Sequence, residues 1–254
     1  MPIIETYTAD FAPNYPVPIL YEDNHLLFAL KAPGLLAQED HSGKPDILNI
    51  LKAYLVEKYH KPGKAWLGLV QRLDQPVGGV MVFAKTSKAA SRLSDLIRRQ
   101  ELEKTYYAVV RGRVEPQSGR WEDCISKEPV GGRYVRDPSG RPCSLSYRRL
   151  GCQDLPEAGT LSLLEIRLHT GRPHQIRVQS SSRSWPLAGD RRYGLNDKFD
   201  HSLEWPALFA SGLAFMHPVR QERIEVWAEV PPTPPWTYFS SELIKSRDSS
   251  GHPV

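Results

Sequence analysis

Apolar and polar positions along the chain fall into short runs with two periods. Ile19-Leu20-Tyr21 and Leu26-Leu27-Phe28-Ala29-Leu30 flank Glu22-Asp23-Asn24-His25, which predicts a hairpin followed by a turn at Pro33-Gly34. Ile47, Ile50, Leu51, Tyr54 and Leu55 recur at helical spacing, so residues 46–59 are predicted to form an amphipathic helix ended by Pro62-Gly63. Val80 to Ala84 is apolar on both faces and reads as a central strand. A helix from Ser87 to Gln100 follows, with Ala89, Ala90, Leu93, Leu96 and Ile97 inward and Lys88, Arg92 and Arg99 outward. Thr105 to Val110, Leu145 to Leu150 and Leu161 to Leu168 read as strands, and Ile224 to Val230 alternates as a one-sided strand. Residues 131–142 read as a mobile basic loop and Ser246 to Val254 as a frayed tail. Strands outnumber helices, and neither a repeat nor a linker divides the chain. The expectation is one α+β domain on a mixed or antiparallel sheet.

Composition narrows the function classes. With 254 residues, 40% of them hydrophobic, the chain can bury a full core. No apolar run approaches the roughly 20 residues needed to cross a bilayer, and Met1 to Asp10 has no basic residue ahead of an apolar core, so neither a membrane span nor an export signal is expected. Cys124, Cys143 and Cys152 are odd in number and lack Cys-x-x-Cys spacing, which supports neither a disulfide framework nor a metal site. A soluble, cytoplasmic monomer is expected. The net charge of +4 is mild, but arginines cluster at Arg98-Arg99, Arg111 and Arg113, Arg133 to Arg141, Arg148-Arg149, Arg172, Arg177, Arg183 and Arg191-Arg192. Such clusters suit an anionic partner such as nucleic acid, and they equally suit a solvated, ion-paired surface.

Three segments carry candidate chemistry. Gln71-Arg72-Leu73-Asp74-Gln75-Pro76-Val77-Gly78-Gly79 places a carboxylate beside an arginine on a glycine-bounded turn just before an apolar strand. Alone, it reads as readily as a turn whose aspartate accepts backbone N–H bonds. In Thr170-Gly171-Arg172-Pro173-His174-Gln175-Ile176-Arg177 the arginines could bind phosphate, or one could hold a buried carboxylate ionised, while His174 is either a satisfied hydrogen-bonding group or a base. In Lys104-Thr105-Tyr106-Tyr107-Ala108 adjacent tyrosines point to opposite faces of a strand, one free to pack in the core and the other to face a cleft.

In this order the segments resemble the RluA family of pseudouridine synthases. The likeness runs from the hairpin Ile19 to Gly34 through Arg72-Leu73-Asp74, Lys104-x-Tyr106-x-Ala108 and Thr170 to Arg177. It continues to Pro186-Leu187-Ala188-Gly189-Asp190 with Tyr193-Gly194 and ends near Leu213-x-Phe215-x-His217-Pro218. The resemblance implies a single pseudouridine synthase domain over residues 18–245, after a lead of 1–17 and before a tail of 246–254. Its fold would be a mixed, mostly antiparallel sheet with flanking helices and a central cleft. It also implies an isomerase acting on ribosomal or transfer RNA without metal or organic cofactor. Asp74 would be the catalytic aspartate, Tyr106 would stack on or deprotonate the base, and Arg177 would pair with Asp74. Gln71, Arg72, Arg172, His174 and Gln175 would contact substrate, with Arg72 filling the place of the flipped uridine.

The chain departs from the family where His usually precedes Arg-Leu-Asp, since it has Gln71, and where Ser often precedes the last glycine, since it has Gly78. The lead before Ile19 is too short for an S4-type RNA-binding domain, so RNA selection is expected to come from the catalytic domain. The rival expectations are a catalytically inactive RNA-binding protein on the same scaffold and a glycosidase. The latter usually needs two carboxylates, and the matched blocks offer only Asp74.

Overall fold

The computed structural model describes residues 3–250, of which 247–250 by backbone alone. These residues group into two compact units, and neither is a continuous stretch of chain. The first comprises the chain up to Glu103 together with Ser211–Ala228, and the second Lys104–Ala210 together with the chain from Glu229.

The first unit is built on antiparallel strands β1 (Glu5–Tyr7), β2 (Val17–Glu22), β3 (Leu26–Lys31) and β5 (Gly78–Ala84), paired in that order, with the short β4 (Gly68–Leu69) against β5. The predicted hairpin is β2–β3, and the strand read as central is buried at every position of β5. Helix α1 (Ile47–Lys58) starts where Asp46 accepts the Asn49 N–H, and α2 (Ser87–Arg98) where Thr86 accepts the Ala89 N–H. Such caps satisfy donors that the first helical turn leaves unpaired. Ala89, Leu93 and Leu96 of α2 pack with Leu26, Phe28, Val80 and Val82 of the sheet. The last part of β10 (Leu208–Met216) pairs with β11 (Arg223–Trp227), and Phe215 stacks on Phe28 with centroids 5.9 Å apart. The predicted strand from Ile224 thus begins one residue earlier and ends at Trp227.

In the second unit β6 (Glu103–Arg111) pairs with β9 (Gly159–Leu168), β9 with β8 (Arg141–Leu155) and β8 with β7 (Ser118–Ile125), all antiparallel. Two short helices, α3 (Gln175–Ser181) and α4 (Lys198–Ser202), and the C-terminal α5 (Ser240–Ser250) complete it. β8 is much longer than Leu145 to Leu150 because its polar ends pair with β7 and β9. The stretch expected to be a mobile basic loop is internally hydrogen-bonded. Ser126 N–H donates to Val135 O, Asp137 N–H to Cys124 O, and Val130 and Arg133 exchange backbone bonds around Gly131-Gly132. Both glycines have positive φ, 57° and 77°, the backbone that a tight hairpin turn demands. The frayed tail was expected to start at Ser246, yet Ser246 is buried and its hydroxyl donates to Glu165 at 3.0 Å. Residues 251–254 lie outside the described residues. The α+β class with a mostly antiparallel sheet is the one observed.

Candidate active site

In the first unit the site begins with the turn between β4 and β5. Val77 N–H closes on Asp74 O at 3.0 Å, and Gly34 N–H donates to Gln75 O at 2.9 Å. The Gln75 amide returns the link by donating to Gly34 O at 3.1 Å. The turn carrying Asp74 is therefore stitched to the Pro33-Gly34 turn that follows β3. Gly78 is required there, because a Cβ at that position would lie 2.9 Å from the Pro33 ring. The Ser often found in the family at this point would collide with that proline unless the turn shifted.

Beneath this turn lies Lys31, which is 0% exposed. Its ammonium donates to Leu35 O at 2.7 Å, Gln75 O at 3.0 Å and Ala32 O at 3.1 Å, so three carbonyls match its three donors. Burial pulls its pKa down to about 7, and the negative charge of Asp74 opposes that fall. The buried Lys31 amine and the candidate catalytic carboxylate thus interact electrostatically within the same unit. Asp74 itself is half-buried and Arg72 is exposed. The Gln71 side-chain Nε2 is buried with no hydrogen-bond partner among the described residues.

In the second unit Tyr106 lies on β6, 8% exposed, opposite Ile166 of β9. Tyr107 points to the other face, and its hydroxyl reaches Ser246 Oγ at 3.2 Å. β9 then leads directly into the Thr170 block. Lys104 at the start of β6 lies against that block, since a Cβ on Gly171 would be 3.6 Å from its Nζ. Burial lowers the Lys104 pKa. Gln175 fastens the loop from within: its Oε1 accepts Thr170 Oγ1 at 2.8 Å and Arg172 N–H at 3.1 Å, while its Nε2 donates to Ser144 O at 3.1 Å. Arg172 Nε donates to Pro142 O at 3.0 Å. His174 caps α3 in the left-handed conformation, φ 52°, and its Nδ1 is 2.8 Å from the Tyr193 hydroxyl.

Arg177 is 5% exposed and forms a two-pronged ion pair with Asp190, Nε to Oδ2 at 2.7 Å and Nη2 to Oδ1 at 2.8 Å. Asp190 is 0% exposed, and Oδ1 also accepts the backbone N–H of Arg192 and Tyr193. Burial alone would raise the Asp190 pKa, yet it is lowered because Arg177 and these donors outweigh desolvation. Lys31, in the opening hairpin, carries no role readable from sequence, and neither do Asp190 and Tyr193, which lie in a block that matches the family. The only signal for Asp190 was its place in that block. The sequence-derived residues thus form two groups, Gln71, Arg72 and Asp74 in the first unit and Tyr106, Arg172, His174, Gln175 and Arg177 in the second. Among the described residues no cluster of three His, Cys, Asp or Glu side chains is placed to hold a metal ion, and no helix is long and apolar enough to cross a membrane.

A family model described as RNA pseudouridylate synthase matches residues 25–182. The chain is 34% identical over 238 residues to ribosomal large subunit pseudouridine synthase D of Yersinia pestis, covering 88% of this chain and 70% of that one. It is 31% identical over 228 residues to an uncharacterized RNA pseudouridine synthase of Bacillus subtilis, covering 89% and 73%. The solved structure of human RNA pseudouridylate synthase domain containing 4 shares the fold, with TM-score 0.69 at 22% identity over 90% of this chain and 92% of that one. The chain belongs to the RNA pseudouridine synthases of the RluA family. Enzymes of this class are isomerases.

Proposed function

We propose that the chain converts uridine to pseudouridine in ribosomal RNA of the large subunit, with Asp74 as its catalytic aspartate. Transfer RNA is the second target class the sequence reading allows. The ribosomal target is favoured by the synthase D relative, whose name specifies it. The observation that carries the assignment of Asp74 is its turn, pinned by Lys31 and Gln75 to the end of β3, which holds a carboxylate in a fixed place within the field of the buried Lys31 amine.

In the proposed reaction the N1–C1′ bond breaks, the freed uracil rotates, and a C5–C1′ bond forms. The C5 proton is then lost and N1 regains one. Atoms and electrons balance within one nucleotide, so the stoichiometry calls for no redox cofactor. Asp74 acts on the sugar, either by attack at C1′ or by taking the C2′ proton. Tyr106 offers a ring face to the uracil and a phenol near C5, and Arg177, fixed by Asp190, supplies positive charge to the reaction. Arg72 fills the place of the extruded uridine, while Gln71, Arg172 and His174 contact the RNA and Gln175 holds their loop. Three free cysteines fit a reducing cytoplasm.

The test is to incubate the chain with unmodified large-subunit ribosomal RNA and, separately, with transfer RNA, and to map pseudouridine in both. Formation at defined uridines of the ribosomal RNA is expected. Tight RNA binding without pseudouridine in either pool would replace this reading with that of an inactive RNA-binding protein.

A further inference from the structure

Tyr193 joins three parts of the second unit. Its hydroxyl accepts the backbone N–H of Tyr134, in the hairpin between β7 and β8, at 3.0 Å. The same oxygen lies 2.8 Å from Nδ1 of His174, at the start of α3. Its ring lies 5.0 Å from the Arg177 guanidinium, which is held over the aromatic face. His174 stands edge-on to both tyrosines, with centroids 5.3 Å from Tyr134 and 5.6 Å from Tyr193.

A phenol has one hydrogen to give, and burial raises the Tyr193 pKa, so it keeps that hydrogen at neutral pH. With the Tyr134 N–H already on the oxygen, an O–H directed at His174 Nδ1 uses the hydroxyl as both donor and acceptor and puts the imidazole hydrogen on Nε2. His174 makes no side-chain cap to α3.

We propose that Tyr193 is a positioning residue for the isomerisation, its hydroxyl holding His174 as the Nε2–H tautomer and its ring holding Arg177, so that the basic hairpin, His174 and Arg177 move as one. The inference rests on the synthase reading given above and extends it to a residue that touches no reacting atom. Exposed Arg133 and Lys127 lie on the hairpin that Tyr193 anchors. RNA phosphates bound there would therefore be felt at α3.

The test uses the full chain labelled with 15N-histidine, together with Tyr193→Phe, which keeps the ring and removes the hydroxyl. In the unaltered chain His174 is expected to show an unprotonated Nδ1 and a protonated Nε2, and Tyr193→Phe to lose that signature. Loss of one buried hydrogen bond should slow single-turnover pseudouridine formation about tenfold. Combining Tyr193→Phe with His174→Asn should be no slower than His174→Asn alone, the non-additivity of residues acting in series. A protonated Nδ1 in the unaltered chain overturns the proposal. So does a Tyr193→Phe rate equal to that of the unaltered chain, or a rate loss matched by an equal loss of stability with the histidine signature intact. If the unaltered chain forms no pseudouridine, the synthase reading falls and this role falls with it. The wild-type histidine spectrum would still report the tautomer, so the two failures remain distinct.

Discussion

Lys31 shows at the residue scale how burial and function meet. An ammonium withdrawn from water is stabilised here by three carbonyls and by the charge of Asp74, and its pKa still falls to about 7 from an ordinary 10.5. Between those values the unfolded chain binds the proton that the folded chain has released, so this group makes stability rise with pH across that window and adds no slope below it. Urea unfolding at several pH values should show that rise in the unaltered chain and a shallower one in Lys31→Met, whereas equal slopes would mean the ammonium is not perturbed. Gln71 offers a second residue-scale test. A buried amide donor without a partner costs about 1–3 kcal/mol, so Gln71→Met is expected to stabilise the chain by about 1 kcal/mol in chemical denaturation. A destabilised variant would show that the amide has a partner. Asp74, Tyr106 and Arg177 stand out in the sequence as candidates because each sits in a distinctive block of neighbours. Lys31 does not, since a lysine closing an apolar run reads as a solvated strand end, and nothing in its spacing reveals three carbonyls folding back on it.

At the scale of elements, α1 and α2 were legible to within two residues because each buries one stripe and carries a capping Asp46 or Thr86. α3 was not. Gln175 to Ser180 is buried all round, so it has no amphipathic period, and it starts at a histidine in a left-handed conformation rather than at a capping side chain. β7 was missed because its burial alternates only in part, with Trp121 and Ile125 inward among charged neighbours. The pairing of α3 with the Gly189-Asp190 segment depends on the fold, and its strength can be measured. Asp190→Asn removes the carboxylate that the Arg177 fork grips, and breaking a buried ion pair on one side costs about 3–5 kcal/mol. Thermal and urea unfolding should both register the loss. A variant as stable as the unaltered chain would show that Arg177 draws its compensation elsewhere.

Taken as a whole, the molecule carries fewer uncommitted arginines than its sequence suggests. Arg98 and Arg99 pair with Asp95, Arg111 with Asp197 and Asp200, Arg148 with Glu165, Arg149 with Glu115, and Arg183 with Asp123. For these clusters the ion-paired reading describes the isolated protein, and buried members such as Arg111 organise the fold. Composition could not separate the two uses, because the distinction depends on which carboxylates the fold brings near. The family was legible from ordered blocks, and its match to residues 25–182 spans residues of both units. The proposed function turns on Asp74 performing the isomerisation. Its most direct test is single-turnover pseudouridine formation by Asp74→Asn on an RNA that the unaltered chain modifies, with RNA binding measured alongside. A loss of about a thousandfold or more is expected, with binding retained. A variant that still forms pseudouridine at the wild-type rate would contradict it.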